Sequence, residues 1–275
     1  MAIKTTGSGG SIKFNGTGSG MKMVSSGGGG GGGGGFNPST LGNLVAWYDA
    51  SQITGVADGG VVSTWNDLSA NANHLNTSRT GENSPLWLTA GTHGISLNGQ
   101  PMVRFQGCSL YRSSPTGLPT GSGATSIYIV GRQTDGSNWS SNAMFGWGQS
   151  SGMWGIIKFG NGLFTAGNNN GTGYTNLFSK SGDSNPFLFS VQYSSGATYS
   201  GTPTYYNGVF GDSGVSATPN ISSPVAEISM GGTPTDSSPV IDTYIAEVLV
   251  YNSAHSTGEK DQIQAYLAAK YGISI

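Results

Sequence analysis

The chain has 275 residues, of which 48 are glycine and only 9% are charged, and its formal net charge is −2. Sparse Lys and Glu exclude a helix-rich protein, since those residues favour helices; aromatic and β-branched residues amid Gly, Asn and Ser favour short strands and many turns. The weak charge gives no electrostatic drive toward nucleic acid or an anionic membrane, no apolar run approaches the ~18 residues that span a bilayer, and the lone Cys108 cannot form an intrachain disulfide.

Residues 1–26 read as an anchor segment. Ser11–Phe14 and Met21–Val24 are short alternating runs, and Asn15-Gly16 opens the stretch between them, which predicts a hairpin. A lone hairpin is barely stable in water, so it must pack on the main domain or a neighbour. Met1–Gly10 lacks an apolar core, so no secretory leader is expected. Gly27–Gly35 are nine consecutive glycines. They predict a flexible linker, with an arm held against neighbouring molecules as the alternative.

Residues 36–275 read as one domain. Strand-like runs fall at Leu44–Tyr48, Val61–Trp65, Pro101–Phe105, Ser126–Gly131, Gly155–Phe159, Phe187–Tyr193, Thr204–Tyr206, Ala226–Met230 and Thr243–Tyr251, separated by Gly, Asn, Ser and Pro clusters. Such a succession, with no helical pattern between the runs, implies an antiparallel β-sandwich or jelly roll. Asn207-Gly208 predicts a tight hairpin turn. One helix closes the chain. Ser256 and Glu259 fit a capping box, Ile263, Tyr266, Leu267 and Lys270–Tyr271 form one stripe, and Gly272 sits where helices end left-handed.

Several of these segments resemble concanavalin A-like lectin/glucanase (laminin-G-like) domains. Leu44–Ser51 looks like their opening strand. Val62–Ser69 with Asn71–His74 resembles the next strand and loop, and Asn98–Phe105 the strand after it. Ile245–Asn252 through Gln264–Gly272 is similar to the closing strand and helix. The likeness covers about residues 41–275 and is weak over about 107–225. It implies an all-β, concanavalin A-like sandwich with one C-terminal helix behind a glycine-rich arm. Because such domains are frequent in bacterial surface proteins and phage virion proteins, it implies adhesion or display more than catalysis. Trp47, Tyr48, Trp65, Phe105, Val248 and Leu249 are expected in the core, with Trp147 and Trp154. Asp67 and Asn71 are expected to brace a loop through backbone hydrogen bonds.

Glycoside hydrolysis needs two carboxylates about 5–5.5 Å or about 6.5–9.5 Å apart, and the glucanases of this fold place them along one strand. Here the only glutamates are Glu82, Glu227, Glu247 and Glu259, with Glu227 and Glu247 alone in apolar strands, so the alternative left is a pair formed by two separate strands. Gly148-Gln149-Ser150-Ser151-Gly152 matches a nucleophile elbow, but a strand and not a helix is expected after it. His74, His93 and His255 lack zinc-ligand spacing. No cofactor is expected; calcium at a sandwich rim is the ion the resemblance admits, without assigned ligands. A shallow glycan site needs an aromatic face beside Asn or Asp. Asp135, Asn138 and Trp139 in one loop, and Asn168, Asn170 and Tyr174 in another, offer that mixture.

The sequence therefore leads to the expectation of a non-enzymatic phage virion surface protein, such as a capsid decoration, head fibre or tail adhesin. It would dock on other virion proteins through residues 1–35, assemble as a homo-oligomer (a trimer by analogy), and bind host glycans without touching nucleic acid or inserting in membrane. The alternatives are a bacterial secreted adhesin and a carbohydrate-active enzyme on the same fold.

Overall fold

The structure is a computed structural model that describes residues 35–80, 83–89, 97–133, 143–149, 152–158, 163–166, 176–179, 186–211, 216, 218–234 and 242–275. The expected hairpin and nearly all of the polyglycine run lie outside them. Residues 36–275 form one compact unit.

The described residues hold fifteen strands and one α-helix. The strands are β1 (Leu44–Asp49), β2 (Thr77–Thr80), β3 (Leu86–Leu88), β4 (Met102–Gln106), β5 (Cys108–Ser113), β6 (Thr125–Gln133), β7 (Ala143–Gln149), β8 (Gly152–Lys158), β9 (Leu163–Ala166), β10 (Asn176–Ser179), β11 (Phe187–Tyr193), β12 (Thr204–Tyr206), β13 (Val209–Gly211), β14 (Glu227–Met230) and β15 (Asp242–Tyr251). The helix is α1 (Thr257–Tyr271). One sheet runs β13-β12-β11-β6-β15-β4-β3, with β1 also paired to β15; the other runs β10-β9-β8-β7-β14-β5-β2. All of these pairs are antiparallel.

Strand alternation decides which residues the sheets enclose. Ile127 and Ile129 of β6, Phe187, Phe189 and Val191 of β11, and Val248 and Val250 of β15 point inward from the first sheet. Leu110, Phe145, Trp147, Trp154, Ile228 and Met230 meet them from the second, in one buried cluster. Each such side chain contributes about 1.5–3 kcal/mol by leaving water. Intervening residues of the first sheet face outward and make a second cluster with α1, in which Tyr128, Val130, Leu188, Leu249 and Tyr251 pack on Ile263, Leu267 and Tyr271.

The helix begins and ends where its sequence dictates. Ser256 Oγ accepts from the Glu259 amide at 3.4 Å, while a Glu259 carboxylate oxygen accepts from the Ser256 amide at 2.8 Å. Gly272 terminates it in the left-handed region at φ 66°. The hairpin between β12 and β13 turns on Asn207 and Gly208, at φ 46° and 76°, the positive values a two-residue turn of this hand requires.

Two expectations need correction. Val61–Trp65 forms no ladder; Val61 and Trp65 make only isolated bridges, to Leu86 and Leu75. Its buried residues are Val62 and Trp65, three apart, a spacing that period-two alternation cannot place on one face. Trp47 is half-buried and packs on the helix side. Its neighbour Tyr48 takes the inward position, and adjacent strand residues face opposite ways.

Candidate functional site

All six sequence-nominated ligand residues, Asp135, Asn138, Trp139, Asn168, Asn170 and Tyr174, lie outside the described residues. The described surface offers a different site. At the edge of the first sheet, Val61, Asn83, Ser84, Leu86, Arg104 and Gln106 line an open cleft of about 280 Å³. Its floor follows from register. Leu86 pairs with Arg104, Arg104 with Tyr244, and Gln106 with Asp242, so these side chains share the outer face. The Val61 bridge to Leu86 brings the preceding loop over as a wall.

Arg104 is held in place from two sides. Its Nε donates to Asp242 Oδ1 at 3.2 Å and its Nη2 to Asp242 Oδ2 at 3.0 Å, a two-point fork that fixes the guanidinium plane. Its Cζ stands 5.7 Å from the centroid of Tyr244. The hydrogen bond to Asp242 pushes the Arg104 pKa above its ordinary value, so the charge is permanent. Val61 is 55% exposed, and Asn83 and Gln106 are exposed too. The cleft therefore presents two apolar side chains, two amides, a hydroxyl and one rigid cation. None of these residues is among the six that the sequence nominates, although Met102-Val103-Arg104-Phe105-Gln106 alternates and carries a signal, the polar pair Arg104 and Gln106 on one face of a predicted strand.

In the sequence Glu247 stands alone in an apolar strand. Folding gives it company, because β1 pairs with β15 so that Asp49 stands opposite Glu247. A register shift between Ile245 and Glu247 turns Glu247 outward under α1. There Lys270 Nζ donates to Asp49 Oδ2 at 2.6 Å and to Glu247 Oε2 at 2.7 Å. Trp47 Nε1, Tyr266 and Tyr271 also donate to Glu247, at 2.8, 3.1 and 2.8 Å. Burial, then the Asp49 charge, raises the Glu247 pKa, and Lys270 opposes the shift. This cluster pins the helix to the sheet. Asp49 also borders a smaller cleft of about 130 Å³ with Gln52, Ile53, Thr54, Thr64, Trp65, Asn66 and Leu68. Glu247 itself is fully buried, with donors on both oxygens.

Glu227 forms an ion pair with Arg79, whose guanidinium lies 4.0 Å from the Tyr111 ring centroid. Asp67 braces its loop as expected: Oδ1 accepts from the amides of Trp47 and Ser69, and Oδ2 from the Asn73 amide, each at 2.8 Å. Asn71 donates to the Val45 carbonyl at 3.1 Å. Gln149 pairs with Gly152, and β8 begins at Gly152, so a strand and not a helix follows the segment that matches an elbow. Among the described residues no group of three or more His, Cys, Asp or Glu could hold a metal ion, and no helix is long and apolar enough to cross a membrane.

No protein-family model matches the chain, and no curated protein does. Solved structures do. Domain 4 of AbnA, a GH43 extracellular arabinanase from Geobacillus stearothermophilus, in complex with arabinotriose, matches at 14% identity with a TM-score of 0.56, over 82% of this chain and 98% of that one. An arabinofuranosidase complexed with arabinofuranosyl-alpha-1,2-xylobiose matches at 17% identity and TM-score 0.55, over 77% of this chain and 51% of that one. The binding domain of botulinum neurotoxin DC, in complex with rat synaptotagmin II, matches at 13% identity and TM-score 0.54, over 83% and 52%. The chain thus spans about half the length of the last two. At these identities the likeness is one of fold.

These matches overturn the expectation of a non-enzymatic protein. The architecture occurs in structures of an arabinanase and an arabinofuranosidase. The sequence has no carboxylate series along one strand, but strand pairing can bring carboxylates of separate strands together, as it does Asp49 and Glu247. Absence of a linear motif is no ground for excluding an enzyme.

Proposed function

We propose that residues 36–275 form a carbohydrate-recognition domain of a carbohydrate-active protein, of the concanavalin A-like jelly-roll type, with the Arg104 cleft as its sugar site. The observation that carries this reading is the match to the arabinotriose-bound arabinanase domain, which extends over nearly all of that domain and most of this chain. The cleft supports it chemically. Val61 and Leu86 give apolar surface for a sugar's C–H face, and Asn83, Ser84, Gln106 and the anchored Arg104 supply hydrogen-bonding groups for its hydroxyls. Leu86, Arg104 and Gln106 are strand residues that the sheet holds in place, which lowers the entropy lost on binding. None of the three matched structures named above is a virion protein.

The test is calorimetric titration of the full chain with neutral and acidic pentose and hexose oligosaccharides, alongside an assay for released reducing ends. Saturable binding to at least one oligosaccharide, weakened by Gln106→Ala, is expected. No binding across the panel would overturn the assignment. Sugar release would add a hydrolytic step to the recognition.

A further inference from the structure

The charge in the cleft is single, rigid and only half used. A guanidinium carries five N–H groups arranged as two forks, a side edge of Nε with one Nη and an end edge shared by both Nη atoms. Asp242 occupies the side edge through Nε and Nη2. The end edge, Nη1 with the second N–H of Nη2, engages no protein hydrogen-bond acceptor among the described residues. Arg104 lines the cleft and Asp242 does not, and the other described lining residues are neutral. Across Tyr244 in register stands Arg132, a second guanidinium on this face. A ligand entering the cleft therefore meets a cation with an open fork and no carboxylate among the described lining residues.

We infer that the cleft selects an acidic sugar, whose carboxylate seats on the end edge of Arg104 while its ring lies against Val61 and Leu86. This rests on the cleft being the sugar site. Two parallel N–H···O contacts match the planar spacing of a carboxylate, and charge assistance makes them roughly twice as strong as neutral hydrogen bonds. A neutral sugar can offer the same edge only a hydroxyl. Asp242 holds the adjoining side edge through Nε and one N–H of Nη2, which leaves the end edge open and fixes the direction in which the free fork points.

The experiment titrates the full chain with a uronate-bearing oligosaccharide and with its carboxyl-reduced neutral counterpart. The acidic form is expected to bind about 10–100-fold more tightly, the equivalent of a charge-assisted hydrogen bond or two, with the advantage shrinking as salt rises. Arg104→Gln should erase the difference. Gln106→Glu, at an exposed position that tolerates charge, should do the same by placing a carboxylate beside the fork, and it keeps the test valid if the Arg104 variant misfolds. Equal or tighter binding of the neutral form would overturn the inference and leave sugar recognition standing. A preference for the acidic form that survives both substitutions would overturn the assignment to Arg104. Failure of both sugars to bind would overturn the recognition reading itself.

Discussion

Replacing Lys270 by Met keeps the aliphatic stem and removes the ammonium that two carboxylates share. In the native chain that ammonium lies 2.6 Å from Asp49 and 2.7 Å from Glu247, whose side chains are 3% and 0% exposed. Without it, two negative charges face each other where water barely reaches. Removing one partner of a buried pair costs about 3–5 kcal/mol, whereas an exposed pair is worth about 0–1 kcal/mol. For a domain of this size each kcal/mol moves Tm by roughly 2–4 °C, so a fall of about 6–20 °C is expected. The pH dependence is the signature. Burial and Asp49 raise the Glu247 pKa above 4.5, and Lys270 is the main opposing group. Its loss lets the raised value climb further. The folded state then binds more protons than the unfolded one, so stability is retained below pH 4.5 and lost as pH rises through the folded value. The deficit of Lys270→Met should therefore be largest at pH 8 and shrink toward pH 5, and adding Glu247→Gln should restore part of it at pH 8. Urea unfolding followed by tryptophan fluorescence at both pH values reads this directly. A deficit below about 1 kcal/mol, or one equal at pH 5 and 8, would refute the buried-clasp reasoning.

Burial lowers the pKa of His255 from 6.5, against an opposing effect of Glu259, and its Nδ1 lies 2.8 Å from the Tyr128 hydroxyl. Its stability contribution is therefore present above pH 6.5 and lost as pH falls through the lowered value; His255→Phe should flatten the acid limb in a urea-midpoint profile while lowering stability at pH 7.5. Gly208→Ala should cost about 1 kcal/mol or more by chemical denaturation, because φ is +76° and a Cβ would come within 2.9 Å of Ile275; deleting Ile275 should relieve the contact and leave the backbone part. Ser256→Ala should cost about 0.5–2 kcal/mol, and Ser256→Asp little, measured the same way.

Local features of the sequence were sufficient wherever the determinant was local. The capping box at Ser256 and Glu259, the left-handed stop at Gly272 and the turn at Asn207-Gly208 depend on neighbours in the chain, and the structure has each one. Alternation likewise marked β1, β4, β6, β11, β12, β14 and β15. It passed over Cys108–Ser113, where Tyr111 faces outward and Arg112 shares the inward face of Cys108 and Leu110, and Ala143–Gln149, where Gly146 and Gly148 put no polar side chain opposite Phe145 and Trp147.

Residue order along the chain determined an all-β domain closed by one helix, because period-two burial and helix caps are written in adjacent residues. It could not determine which polar groups meet. Asp49 and Glu247 are 198 positions apart, Arg104 and Asp242 are 138 apart, and only the antiparallel register of β15 against β1 and β4 brings each pair together. The register is chosen by which faces the two sheets and the helix must bury, a property of the packed whole. The clasp under α1 and the cation in the cleft therefore exist only once that packing is complete.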